Sequence, residues 1–149
     1  MILRDRCLSA LRRINPHLSE GAIESALKAL YQVAGTHQVT DNEKFHRYLT
    51  DGIPVEYRKK DDVVGDYAYL IDPSDSPGKN ELLAVNQFTI IEKGINKRPD
   101  IILFVNDLPL VTVELKNAVD LNATVKKAYE QLKTYKATIP QLFSYNEIC

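Results

Sequence analysis

Residues that would announce a metal cluster, a disulfide framework or a secreted chain are scarce in this sequence of 149 residues. Its two cysteines, Cys7 and Cys149, stand near opposite ends, and His17, His37 and His46 form no HxH or HxxxH pair. Zinc-type spacing is therefore missing, and the histidines are expected in surface or capping roles. No stretch reads as a secretory leader or a membrane span, which makes a reducing cytoplasm the default compartment. The formal net charge of -1 excludes a uniformly basic nucleic-acid coat. It leaves room for a local basic groove, because phosphate binding depends on where the lysines lie. There is no glycine-rich phosphate loop, so nucleotide hydrolysis has no support in these residues, and no internal repeat or low-complexity run. With 44% hydrophobic and 26% charged residues, the composition is that of one globular domain able to bury a core.

The first half of the chain looks helical. Cys7, Leu8 and Leu11 share a face, Pro16 interrupts the pattern, and Ser19 is placed to cap a second helix with Ile23, Ala26, Leu27 and Leu30 as its apolar stripe. "TDNEKFHRYLTDG" offers a Thr40-to-Glu43 capping box, a core face of Phe45, Tyr48 and Leu49, and Gly52 as a stop. Glu43 is expected to serve as a cap rather than as a catalytic acid.

From Ile53 the period changes to two, with Val55 and Tyr57, then Tyr67, Tyr69 and Ile71 at alternate positions, as half-buried strands require. "DPSDSPGKN" is a turn-rich loop, "ELLAVNQFTIIE" reads as one further strand, and "KGINKRP" turns the chain. A hairpin, "KRPDIILFVNDLPLVTVELKN", follows. After it a helix carries Val125, Ala128, Leu132 and Tyr135 at helical spacing, capped by Asn122 or Thr124 and ended before Pro140. The closing "QLFSYNEIC" has the look of an approach to another strand.

The hairpin holds the chemistry. Side chains alternate along a strand, so Glu114 and Lys116 project together while Leu115 points the other way. Asp100 joins them only in some registers. An even loop centred on Asp107 and Leu108 would pair residue 100 with 115 and separate the acids, whereas an odd loop or a bulge pairs Asp100 with 114 or 116. Two adjacent carboxylates repel unless a cation or Lys116 neutralises them. Such a pair suits Mg²⁺, which takes one or two protein carboxylates and keeps waters for a phosphate substrate. An exposed edge strand with a charge-blunting lysine gives the same tripeptide and competes with the site reading; the preceding Pro99-Asp100, the short interval, the hairpin geometry and the basic helix that follows weigh toward a site. Gln131 and Tyr135, four apart, share a helix face, and Lys126, Lys127, Lys133 and Lys136 make residues 121–136 locally basic. A solvated lysine face over a core tyrosine is the competing reading.

Taken together, "RCLSALRRINPHLSEGAIESAL", "GIPVEYRK", "LLAVNQFTI", "RPDIILFVNDLPLVTVELKN" and "YEQLKTYKATIPQLFSYN" resemble the N-terminal nuclease domain of type I restriction enzyme R subunits, within the PD-(D/E)xK nuclease superfamily. The resemblance implies an α/β (α+β) fold: a restriction-endonuclease-like core with a mixed β-sheet flanked by helices over 53–149, cut short at its C-terminal end, preceded by a helical segment over 1–52. It implies Asp100, Glu114 and Lys116 as catalytic residues, Asp100 and Glu114 as Mg²⁺ ligands, and Gln131 and Tyr135, with Lys126 and Lys127, as residues that position DNA. The implied partners are double-stranded DNA and methylation and specificity subunits, with no membrane, and the motor domains that use ATP lie outside these residues. The family's next strand follows "FSYN", so the isolated piece is expected to be inactive and to self-associate through an open sheet edge. Relatives often carry a glycine where this chain has Asp107, and a further acid on an upstream helix has no assigned counterpart here. For the hairpin we expect the odd loop or the bulge. Another repair or junction nuclease of the same superfamily, or a non-catalytic docking module, would fit the same core.

Overall fold

The structure, a computed structural model, describes residues 4–35, 37–59, 62–74, 78–116 and 124–149. Helices α1 (Arg4–Ile14), α2 (Glu20–Tyr31) and α3 (Gln38–Asp51) come first. Strands β1 (Ile53–Lys59), β2 (Asp62–Ala68), β3 (Leu82–Asn86), β4 (Ile90–Glu92), β5 (Ile95–Lys97), β6 (Ile101–Val105) and β7 (Leu108–Val113) follow, then α4 (Val125–Thr138) and α5 (Pro140–Phe143). Among the described residues the strands form three small antiparallel sheets, β1-β2, β3-β6-β7 and β4-β5. A parallel bridge joins Val111 to Ile148. Helices and sheets are thus combined in one mixed architecture, as expected.

The helical stripes do what their spacing demands. Cys7, Leu11, Ile23, Ala26, Leu27, Leu30 and Phe45 are buried in one cluster with Ile53, Val55 and Ala68, and Ser19 caps α2 by accepting from the Ala22 amide. Asn15, buried at the end of α1, exchanges hydrogen bonds with the Tyr69 backbone, donating to its carbonyl and accepting from its amide at 2.9 and 2.8 Å. Gly52 ends α3 at φ 86°, and a Cβ there would come within 3.1 Å of the Tyr67 side chain. A second cluster brings Ile90, Ile102 and Phe104 against Tyr135, Ile139, Leu142 and Phe143, so that α4 and α5 lie over the three-stranded sheet.

Several local expectations give way to tertiary context. The Thr40-to-Glu43 capping box does not form: α3 starts at Gln38, and Asp41 in its first turn accepts from the Gly35 amide at 2.7 Å. Glu43 pairs with Arg47 instead. Tyr67 and Tyr69 face outward, 48% and 44% exposed, because Ala68 and Leu70 take the buried positions. "ELLAVNQFTIIE" is two strands, not one, interrupted at Gln87 with φ 52°. "KGINKRP" is a Lys93-Gly94 turn followed by β5. Thr124 is the cap of α4, whereas Asn122 lies outside the described residues. Val125 is 88% exposed, and the buried face of that helix runs through Tyr135 to Ile139. Pro140 opens α5, which claims "QLF" before the chain reaches the Val111–Ile148 bridge.

Candidate active site

The register of one hairpin decides whether a site exists. Strands β6 and β7 are joined by Asn106 and Asp107, both left-handed at φ 51° and 66°, the pair of positive φ values that a two-residue type I′ turn requires. This loop is even and sits one residue earlier than Asp107 and Leu108. The compensation is a bulge: Phe104 pairs with Pro109 but Leu103 pairs with Val111, leaving Leu110 as the extra residue. Ile101 then faces Val113, and one step further Asp100 comes opposite Glu114, on the same side of the sheet.

Asp100 is held from both flanks. Its Oδ2 accepts from the Leu115 backbone amide at 2.8 Å, and its Oδ1 accepts from Gln87 Nε2 at 2.9 Å. The Glu114 side chain is 3% exposed and lies 3.0 Å from Lys116 Nζ, itself 27% exposed. Lys116 also donates to Gln131 Oε1 at 2.8 Å, and Gln131 Nε2 donates to the Tyr135 hydroxyl at 2.7 Å. A continuous polar chain therefore runs from the end of β7 to the face of α4. It exists because the apolar cluster beneath α4 fixes that helix over β6, and because the four-residue spacing stacks Gln131 and Tyr135.

Burial holds the Tyr135 hydroxyl above the ordinary tyrosine range. The bond from Gln131 opposes this, and the nearby carboxylates of Glu114 and Asp100 reinforce it. Tyr135 accordingly keeps its proton and can orient the Gln131 amide, which in turn directs the Lys116 ammonium.

The residues present fit a hard divalent cation of the Mg²⁺ type. Among the described residues Glu114 Oε2 is buried with no hydrogen-bond partner, an anionic oxygen that a cation would satisfy. No group of three or more His, Cys, Asp or Glu side chains converges among the described residues.

Lys126 and Lys127 are exposed in the first turn of α4, which holds no acid, and they make no ion pair with another described residue. Lys133 and Lys136 are engaged, the first with Glu130 and over the Tyr129 ring, the second over the Phe143 ring. A groove of about 930 Å³ between α1 and α2, lined by residues such as Arg4, Leu8 and Tyr31, contains none of the candidate residues. Gln87 is the contributor that sequence reading missed. Nothing in a glutamine inside an apolar run signals a left-handed residue.

Over residues 1–149 the chain matches the family model described as type I restriction enzyme R protein N terminus. It is 37% identical over 148 residues to the type I restriction enzyme HindI endonuclease subunit of Haemophilus influenzae. It is 33% identical over 153 residues to the "Putative type I restriction enzyme MjaIXP endonuclease subunit" of Methanocaldococcus jannaschii. Each alignment covers 99% of this chain and 14% of the relative, so the chain spans about one seventh of their length. No solved structure matches it.

Proposed function

The chain belongs to the family of type I restriction enzyme R protein N termini, and from that premise we propose that it is the DNA-cutting module of such an enzyme, hydrolysing phosphodiester bonds in double-stranded DNA. The observation that carries the proposal is the convergence of Asp100, Glu114, Lys116, Gln131 and Tyr135 through the bulged register, described above. In this reading residues 53–149 are the nuclease core, acting in the cytoplasm beside methylation and specificity subunits. ATP-driven translocation belongs to motor domains elsewhere in the full protein.

Asp100 and Glu114 would hold Mg²⁺. The chemistry such an ion supplies is polarisation of the scissile phosphate and compensation of its negative charge. The protein's own groups do the rest. Glu114 fixes the Lys116 ammonium by charge, Gln131 fixes its direction, and the ammonium is then preorganised to stabilise charge developing at phosphorus or to orient the attacking water. Tyr135 retains its proton and secures Gln131 from below. Lys126 and Lys127, exposed in a first helical turn that itself holds no acid, would meet the phosphate backbone.

The test is alanine replacement of Asp100, Glu114 and Lys116, one at a time, in the intact restriction complex. Cleavage should be abolished while ATP hydrolysis and translocation continue, because the hydrolytic groups and the motor are separate modules. A variant that still cuts at the normal rate removes that residue from the proposal.

A further inference from the structure

We infer that Gln87 is a positioning residue that sets the Asp100 carboxylate for metal binding, an inference that rests on the nuclease reading above. Gln87 stands opposite Asp100 one step beyond the Asn86–Ile101 pair of β3 and β6, and its backbone amide donates to the Asp100 carbonyl at 2.9 Å. Its side chain then donates to Asp100 Oδ1, also at 2.9 Å. Backbone and carboxylate of one residue are gripped by backbone and amide of the other. With the Leu115 amide on Oδ2, each carboxylate oxygen has one donor, and the carboxylate plane is fixed while lone pairs remain for a ligand.

The backbone at Gln87 strengthens the case. Four described non-glycine residues have positive φ. Asn106 and Asp107 form one hairpin turn and Lys93 precedes Gly94 in another, but Gln87 closes no hairpin. Glutamine is a poor choice for a left-handed position, where glycine or asparagine is tolerated more readily. The left-handed step sends Phe88 inward, its ring 5.6 Å from that of Phe104, and leaves the amide on Asp100. Glycine would serve the turn alone; only a side chain with an N–H donor serves the carboxylate. The bond is also exposed, so it contributes little to stability and its value lies in orientation.

Two variants separate these roles in the intact complex on plasmid DNA. Q87G keeps the turn and relieves the backbone, and Q87M keeps the length but lacks the donor. Mn²⁺ binding is followed, without ATP, by loss of the free-ion electron paramagnetic resonance signal, and cleavage is measured against Mg²⁺ concentration. In both variants the Mn²⁺ dissociation constant and the Mg²⁺ concentration for half-maximal cleavage should rise by roughly ten- to hundredfold. ATP hydrolysis should be unaltered, and the melting temperature of Q87G should not fall. Unchanged metal dependence in both variants overturns the inference. So does loss of cleavage that no Mg²⁺ concentration restores while Mn²⁺ binding is normal, which would make Gln87 a DNA contact. D100A run in parallel tells the two failures apart: if it still cuts, the nuclease assignment fails, whereas a dead D100A beside unaffected Gln87 variants removes only the positioning role.

Discussion

Replacing Asn106 by alanine should bring the domain close to unfolding, and the size of the effect follows from its contacts. The side chain is buried in the turn between β6 and β7. Its Oδ1 accepts from the Glu81 amide at 2.8 Å and from Arg13 at 3.3 Å, while Nδ2 donates to the Leu70 carbonyl at 2.9 Å and to Asn80 at 3.0 Å. Alanine leaves the Glu81 N–H and the Leu70 C=O without these partners, at about 1–3 kcal/mol each. It also places a Cβ at φ 51° without asparagine's tolerance for that region, adding about 1 kcal/mol. The sum is about 5 kcal/mol against a total stability of about 5–15 kcal/mol for a domain. Urea unfolding of the 149-residue chain, followed by circular dichroism, is the assay. With a slope of about 1–3 kcal/mol per molar urea, the midpoint should fall by roughly 2 M or more. Asn106→Gly loses the same bonds but not the backbone tolerance, so it should unfold at higher urea than the alanine variant. A midpoint shift below about 0.5 M for N106A, with an unchanged slope, would refute the claim that this side chain ties the turn to the Leu70 and Glu81 segments.

Alkaline stability should reflect two buried tyrosines. Burial raises Tyr145 to about 12, opposed by a backbone hydrogen bond, and raises Tyr135 in the same direction. A raised folded-state value means that the stabilisation is complete below the ordinary tyrosine range and disappears as pH climbs through the folded value. Unfolding free energy should therefore drop between about pH 10 and 12, tyrosinate absorbance should show a late-titrating fraction, and Tyr145→Phe should flatten the decline; equal slopes in the two proteins would contradict this. The thiols should differ too. Cys7 is buried and pushed up to about 12, mainly by burial and secondarily by Asp107, whereas Cys149 is exposed. A thiol reagent at mildly alkaline pH should label one group quickly, and Cys149→Ser should abolish that fast phase.

Much of the local structure was legible because it depends on spacing alone. The stripes of α1 and α2 and the helical pairing of Gln131 with Tyr135 follow from a period of 3.6, and the shared face of Glu114 and Lys116 follows from a period of two. Their burial or contacts in the structure match. The family segments that run from Arg6 to Asn146 added the expectation of which residues form the site.

Relations between strands were decided by the tertiary structure. Whether Asp100 meets Glu114 depends on a single extra residue, Leu110, and on a turn placed at Asn106 and Asp107. A one-residue change in register moves a whole strand's side chains to the other face, yet it leaves local periodicity unaltered. The grip of Gln87 on Asp100 has the same origin, since a left-handed glutamine is stable only where its neighbours hold it, here through Phe88 packing and the backbone bond from its amide to the Asp100 carbonyl. The start of α3 likewise does not follow its own capping signal: His37 at the cap position makes no side-chain cap bond, and Asp41 accepts from the Gly35 amide outside the helix. A sequence by itself determines which side chains lie along one element's face; which faces meet, and at what offset, is a property of the packed chain, because the energies that choose between registers are summed over contacts far apart in sequence.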